Sequence, residues 1–476
     1  VKESEVATAT VGEQFSAAFK RRVIFILLLV YIVNYADRMI IGVVGEAIKH
    51  DLNLSDTQLG LLGGTSFTLL YVLVSFPVGR LVERYSRVSI IWIAVGIWSA
   101  ATALCGGAQS YAQLLVCRAA VGMGEGGFIP AVLSLLSDYF PPNKRASAYS
   151  MVVFGLPIGG VIGAVVGGWM ASHYGWQWAF VVIGLPGMLL SLIVWRTLKE
   201  PPRGYSEPLH KVSEKAPSIS VVFATLLHNQ TFLHLAVAAG LLQIVAYAIA
   251  LFLFPYLTRN FGIGYVQAGA IVGVINGLST AIGILGGGFL ADLLGKRDVR
   301  WYALAPCIGM LIAAPLYVFA LLQEGSWLVA VLLLFVPATI VPAFSPTLAT
   351  TIQSLVEPRM RGTTAAISSA LAHIISLGFG AVITGFASDY FAARAFHAAG
   401  GLGDYATQCG SRPIESLAQI CTSASGHGLR YGMIAIAIFL LWAAFHFFLA
   451  SRTIRKTFGA VQDLPTDGPA RLSTAH

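Results

Sequence analysis

Apolar and polar positions in this chain fall in long blocks. Runs of about 20 apolar residues alternate with short stretches of Gly, Pro, Lys and Arg, and about 20 helical residues span the roughly 30 Å of a bilayer's hydrocarbon. Twelve such runs lie near 23–44, 58–78, 89–108, 112–137, 147–172, 176–197, 228–256, 265–290, 300–321, 325–355, 363–388 and 427–450. The pattern predicts an all-α integral membrane protein with twelve transmembrane helices.

The polar blocks predict its orientation. Of 30 Lys and Arg, 23 fall in the two tails and in alternate loops ("GRLVERYSR", "PPNKR", "GKRDVR", "EPRMRG"), whereas the opposite loops hold only Lys49, Arg259, Arg394, Arg412 and Arg430. Cytoplasmic loops collect Lys and Arg, so both termini are expected in the cytoplasm, with a bacterial inner membrane as the expected location. The first run follows "KRR" but is too long for a signal peptide and lacks a small-residue cleavage site, so it is expected to remain as the first span.

Composition agrees. Hydrophobic residues make up 56% of the chain, charged residues 11%, and mean hydropathy is +0.75, against about 25% charged residues in soluble domains. The net charge of +8 follows from the loop bias and does not imply a nucleic-acid partner.

The spans repeat. "LSDTQLGLLGGTSF" aligns with "IGYVQAGAIVGVIN", placing Gln58, Gly60 and Gly79 on Gln267, Gly269 and Gly288. "FIPAVLSLLSDYFPPNKRASA" aligns with "FSPTLATTIQSLVEPRMRGTT", placing Phe128, Pro130, Pro142 and Arg145 on Phe344, Pro346, Pro358 and Arg361. A six-span unit is therefore duplicated. The expected divisions are a cytoplasmic tail at 1–22, a six-helix bundle at 23–198, a cytoplasmic linker at 199–227 whose polar, Pro-bearing part runs from about Lys199 to Ser220, a second bundle at 228–450 and a cytoplasmic tail at 451–476. Pro130 and Pro346 predict matching kinks.

Two six-span halves related as parallel repeats are the plan of major-facilitator transporters, and the chain resembles that superfamily along nearly all its helical length. The superfamily's loop 2–3 signature G-x-x-x-D-R-x-G-R stands here as Gly79, Glu83, Arg84, Ser86 and Arg87, with Glu for Asp and Ser for the second Gly. The loop 8–9 copy keeps Gly288, Asp292, Gly295 and Lys296. "NYADR" in span 1, R-x-x-x-G-x-G-E from Arg118 to Glu125 in span 4 and "YGWQWAF" opening span 6 are most similar to the spinster branch, lipid transporters of lysosomal and plasma membranes with bacterial relatives. The anion:cation symporter branch shares parts of the span 4 pattern.

Four ions sit within apolar spans: Asp37, Arg38, Arg118 and Glu125. Each costs about 2.5–3.5 kcal/mol at mid-bilayer on the insertion scale. The second half has Ala246, Tyr247, Leu334 and Val341 at the equivalent positions, and this asymmetry favours a functional role over a charge network that only fixes packing. Arg118 and Glu125, seven apart, share a helix face about 10.5 Å apart along the axis. Gly122 between them leaves a notch for a helix, water or ligand group. Asp37 and Arg38 leave their helix about 100° apart, which lets one turn to span 4 while the other faces the cavity. Asp37 and Glu125 are candidate proton carriers. Arg38 and Arg118 are expected to hold them ionised or to bind an anionic group, with Asn34 and Tyr247 as further substrate-binding candidates.

The resemblance also implies a cytoplasmic gate. The loop 2–3 acid, Glu83, would face the start of span 11 near Gly362 and Thr363, where the helix dipole favours an anion, and Arg87 would meet Asp138. Gly79, Arg84, Arg145 and Asp292 complete the gate candidates. Glycines at four-residue spacing in span 5 (Gly155, Gly159, Gly163, Gly167) and span 8 (Gly269, Gly273, Gly277) predict close helix packing, expected where the halves meet.

"GMGEGG" has no strand before it, so it is no dinucleotide site. There is no Walker A sequence, and no metal motif or cofactor is implied. His373 is a candidate to titrate near the cavity, with a hydrogen-bonded packing role as the simpler reading. Cys409 and Cys421 share the loop between spans 11 and 12, expected on an oxidising side, and are expected to form a disulfide. The function implied is a secondary transporter, monomeric and not an enzyme, that moves an amphipathic anion such as a lysolipid or sphingolipid phosphate by proton-coupled alternating access. A proton-coupled symporter of small organic anions such as sugar acids is the alternative, and a membrane-embedded lipid hydrolase a remote one.

Overall fold

The computed structural model describes residues 15–203, 205–206, 218–356, 360–410 and 415–462, apart from the side chains of some positions within helices. Among the described residues, twelve helices are long and apolar enough to cross a membrane: α1 Ala17–Leu52, α2 Asp56–Arg84, α3 Arg87–Cys105, α4 Tyr111–Tyr139, α5 Ser147–His173, α6 Trp176–Thr197, α7 Gln230–Phe261, α8 Tyr265–Gly295, α9 Trp301–Leu321, α10 Trp327–Ser354, α11 Thr363–Ala398 and α12 Glu415–Thr457. Hydropathy located each of them but misjudged some ends. α12 starts twelve residues before the expected 427, because its polar first turns ("AQICTSASGHG") read as loop. The linker ends in a short apolar helix, Ile219–His228, that buries Val222 and Leu226.

Local sequence explains the starts and breaks. Ser16, Ser86 and Ser110 cap α1, α3 and α4 by accepting from the backbone N–H three residues on, and Ser55 with Gln58 forms a capping box on α2. α4 breaks at Gly126 and Gly127, and α10 at Phe344 (φ −95°, ψ −2°). These breaks precede Pro130 and Pro346, which lack the N–H that would bond the carbonyl four residues back.

α1 packs on α5 and α6, and α3 on α4 and α6; in the second half α12 packs on α7, α9 and α11, and α10 on α8 and α9. The halves meet through α1 with α7, α2 with α11 and α5 with α8. These meetings lie toward the end of the bundle carrying the α1–α2, α7–α8 and α11–α12 loops, here called the far end. There Gly60 abuts the Ala381 carbonyl and Gly385 the Asp56 carbonyl, and a Cβ on Gly168 would lie 2.6 Å from the Tyr265 oxygen. Toward the terminal end, a Cβ on Gly79 or Gly288 would meet nothing within 4 Å. The halves are thus closed at the far end, while Gly79 and Gly288 face open space toward the terminal end.

The glycine rows divide their work. Those of α8 face α5: Gly269 meets the Ala164 carbonyl, and Gly273 and Gly277 meet Val161. The α5 row was expected at the junction of the halves, but Gly155, Gly159 and Gly163 instead receive the Leu28, Ile32 and Ala36 carbonyls of α1. The α5 glycines at four-residue spacing therefore hold the first half together, and Gly168, outside that row, makes the approach to α8.

Candidate functional site

α1 presents Asp37 and Arg38 to α4, where Arg118 and Glu125 lie two turns apart on one face. The partners cross. Asp37 Oδ1 takes Arg118 Nη1 at 3.1 Å, while Glu125 Oε2 takes Arg38 Nε at 2.7 Å and Nη2 at 2.6 Å. Asp37, Arg118 and Glu125 are each 1% exposed, whereas the Arg38 side chain keeps 14% of its surface. Both neighbours on α1 therefore turn toward α4, and Arg38 also reaches the cavity, rather than one serving each purpose.

Aromatic rings complete the setting. The Arg38 guanidinium lies 5.3 Å from the Phe67 ring centroid and 5.5 Å from that of Tyr71, and Arg118 lies 5.6 Å from Phe67, distances at which a ring face attracts a cation. Thr102 of α3 donates to Asp37 Oδ2 at 2.5 Å. Arg38, Arg118 and Phe67 then line a cavity of about 30 Å³ closed by Tyr247 and Leu251 of α7 and Ala381 of α11. Tyr247 thus faces the ions from the other half. Phe67, Tyr71 and Thr102 escaped the sequence reading because one aromatic or hydroxyl residue in an apolar run is ordinary packing material.

Asn34 Nδ2, Arg118 Nε and Glu125 Oε1 are buried without hydrogen-bond partners among the described residues. Each such group costs about 1–3 kcal/mol, so the site holds unused bonding capacity. Asn34 Nδ2 donates to neither Asp37 nor Arg38. The notch at Gly122 is filled by α2, whose Phe67 carbonyl occupies the place of a Cβ; it admits a helix, not water or ligand.

The gate candidates separate. Arg87 is buried and pairs with Asp138, with Glu200 Oε1 at 2.7 Å and with the Pro201 carbonyl at 2.9 Å. Arg87, Asp138 and Glu200 all belong to α1–α6 or the segment leaving α6. Arg87 meets Asp138 as expected, and the pair is a tie between elements of one half. Glu83 and Arg84 are exposed and make no ion pair among the described residues. Arg145 donates to the Phe140 carbonyl at 3.1 Å, at the end of α4. The Asp292 side chain and the surroundings of Gly362 lie outside what is described. His373 stacks on Tyr71, centroids 5.5 Å apart, linking α11 to α2.

An ion cluster at the far end was not foreseen. Arg259 of α7 donates through Nη2 to Glu46 Oε2 at 2.7 Å and through Nη1 and Nη2 to Asp56 Oδ2 and Oδ1 at 2.7 and 2.8 Å. Lys49 Nζ reaches Asp56 at 2.6 Å and Ser388 donates to Asp56 at 2.6 Å. Asp389 of α11 accepts from the Asp56 and Thr57 N–H groups at 3.0 and 2.8 Å, so one half supplies an anion to the helix N-terminus of the other. Beside this cluster Cys409 and Cys421 form a disulfide with Cα atoms 5.2 Å apart.

The sequence profile of the Major Facilitator Superfamily matches residues 27–381. Among solved structures, a bacterial homologue of the human lysosomal transporter spinster, in an inward-facing and unoccupied conformation, has a TM-score of 0.83 and 32% identity, covering 93% of this chain and 99% of that one. An MFS-type efflux pump of Mycolicibacterium smegmatis is 29% identical over 72% of this chain and 78% of the pump. A hexuronate transporter of Bacillus subtilis is 29% identical over 59% of this chain and 66% of that transporter.

Proposed function

The chain belongs to the major facilitator superfamily, among its spinster-like members, and from that premise we propose that it carries an amphipathic anion, of the lysolipid or sphingolipid-phosphate type, by proton-coupled alternating access. It is a multi-pass membrane transporter and not an enzyme. The finer reading is supported chiefly by one observation: two crossed, buried ion pairs, present in one half only, border a cavity that the other half closes.

The chemistry follows from who can move. Glu125 is sealed, but its partner Arg38 lines the cavity. An anionic head group entering from the open terminal end competes for the planar, bidentate donors of Arg38. Glu125 then loses its counter-charge in a low dielectric, where a carboxylate without a partner is stabilised by a proton. Asp37 with Arg118 and Thr102 forms a second carboxylate of the same kind, its Arg118 partner two turns from Glu125 on α4. Each head group bound thereby favours a proton bound, and the loaded state has fewer fixed charges to carry through closure. Aromatic rings at Phe67, Tyr71 and Tyr247 suit the apolar part of such a molecule.

We place both termini in the cytoplasm of a bacterial inner membrane, on the strength of the Lys and Arg bias, with the transporter acting as a monomer. The structure is then closed outward. A symport of sugar acids is the second reading, favoured by the likeness to a hexuronate transporter. Proteoliposomes with an imposed pH gradient test both, using lysophosphatidate and glucuronate as cargo. Accumulation of lysophosphatidate is expected; uptake of glucuronate alone would favour the second reading, and uptake of neither would overturn both.

A further inference from the structure

The far face of the second half holds a cavity of about 570 Å³, lined among others by Arg259, Glu324, Thr422, Ser423, His427 and Arg430. This volume is within the range of small-molecule sites. It lies apart from the central ions, on the opposite side of the Arg259 cluster.

Arg430 of α12 is 7% exposed, yet its partnering is incomplete. Nη1 pairs with Glu324 in the α9–α10 loop, whose side chain is 75% exposed. Nε is buried without a hydrogen-bond partner among the described residues. A guanidinium offers five donors in a fixed fork, and a carboxylate held mostly in water is a weak counter-ion, since exposed charges are screened and lose side-chain entropy when pinned. The polar groups behind Arg430 are already used: the Tyr256 hydroxyl donates to the Leu321 carbonyl at 3.1 Å, and Asn260 Nδ2 donates to the Tyr256 carbonyl at 3.2 Å. Arg259 directs its fork to Glu46 and Asp56 and contributes field rather than free donors. Unused bonding capacity is therefore concentrated at Arg430, beside the hydroxyls of Thr422 and Ser423 and the imidazole of His427.

We propose that this cavity is a second anion site, separate from the central one, that takes a phosphate or carboxylate head group onto Arg430 by displacing Glu324. Its volume exceeds what a bare phosphate fills, leaving room for the part of the ligand next to the head group. The site goes beyond the transport reading and does not depend on what the central cavity carries.

The test titrates dodecyl phosphate and inorganic phosphate into full-length protein in a neutral detergent, by calorimetry, for the unaltered protein and for Glu324→Gln, Arg430→Gln and Arg38→Ala. Glu324 is exposed, so its replacement leaves the fold intact, and removing the competing carboxylate is expected to tighten dodecyl phosphate binding about tenfold. Arg430→Gln is expected to weaken it at least tenfold. Arg38→Ala, which removes an anion-binding group of the central site, is expected to keep the component that responds to Glu324. Inorganic phosphate binding as tightly as dodecyl phosphate identifies a free anion as the ligand, and binding of dodecyl phosphate alone identifies a lipid head group. Affinities in Glu324→Gln equal to those of the unaltered protein, for both probes, would overturn the site. Gradient-driven transport is read separately in proteoliposomes: its absence with binding intact sinks the transport reading alone, and its presence without any effect of Glu324 sinks this site alone.

Discussion

Asp56 opens α2 in one half and Arg259 nears the end of α7 in the other, and they meet in a two-point ion pair at 2.7 and 2.8 Å. Both are buried, and Glu46 stands on the other side of the same guanidinium. A buried Arg between two carboxylates is stable only while all three stay together, because each remaining charge would otherwise sit unpaired in a poor solvent. The cluster joins residues of the two halves, so it is expected to act as a latch that opening the far end must break.

Arg259→Gln should therefore release the latch. Removing one partner of a buried pair costs about 3–5 kcal/mol, and only the far-closed state bears that penalty in full. Even about 1.4 kcal/mol shifts a two-state balance tenfold. Spin labels across the far end, read by double electron–electron resonance, should show a new longer distance. An unchanged distance distribution in well-folded protein would remove the latch.

The Cys409–Cys421 bridge ties the loop after α11 onto α12 and brings Gly410 against Asn53 at the end of α1. Closing a loop of this size contributes about 3 kcal/mol in the chain-entropy model. The double Cys→Ser variant should lose thermal stability accordingly and open more readily at the far end. Peptide mapping without reductant should recover the two cysteines linked; two free thiols would refute the bridge.

Arg87 predicts a different phenotype from a gate residue. Burial alone raises the Glu200 carboxyl, but the Val88 N–H, the Arg87 guanidinium and the Ser86 hydroxyl outweigh it and hold the group below its ordinary value of 4.5. A folded-state value below the unfolded one means stability that is complete above about pH 4.5 and lost as pH falls through the lower, folded value. Melting temperature should fall across this acid range, and Glu200→Gln should flatten that slope. Arg87→Ala should lower stability at neutral pH while leaving inter-half distances unchanged; a shift in those distances would restore Arg87 to the gate.

The spans and the four central ions were legible because an ion inside a 20-residue apolar run has few reasons to be there. Their pairing was not. Adjacent residues on α1 left open which would turn to α4, and only the docked helices show that both do. The latch was illegible for the opposite reason: Glu46, Lys49, Asp56, Arg259 and Asp389 all sit near span ends, where a charge reads as an ordinary solvated one. Burial came from the approach of the two halves, which no local pattern encodes. Gly122 shows the same limit, since a missing side chain marks a close approach without naming what approaches.

The last prediction separates coupling from packing at the centre. Asp37→Asn keeps the shape of the side chain and its contact with Thr102 and Arg118 but removes the titrating group, so it imitates a permanently protonated Asp37. If Asp37 carries a coupled proton, the variant should fold, bind cargo and exchange it across the membrane, yet fail to accumulate it against a gradient when a pH difference is imposed. Glu125→Gln should behave alike if the two carboxylates share the task, and should also free Arg38, strengthening cargo binding several-fold, by the order of one charge-assisted hydrogen bond. Arg38→Ala should weaken cargo binding itself by about tenfold or more on the same grounds. A purely structural network predicts instead that all three variants lose stability together, because each strands a buried partner. Exchange and pH-driven accumulation measured side by side in proteoliposomes, with melting temperature as the control for folding, distinguish these outcomes. Full accumulation by a well-folded Asp37→Asn protein would leave Glu125 as the sole carrier at this site.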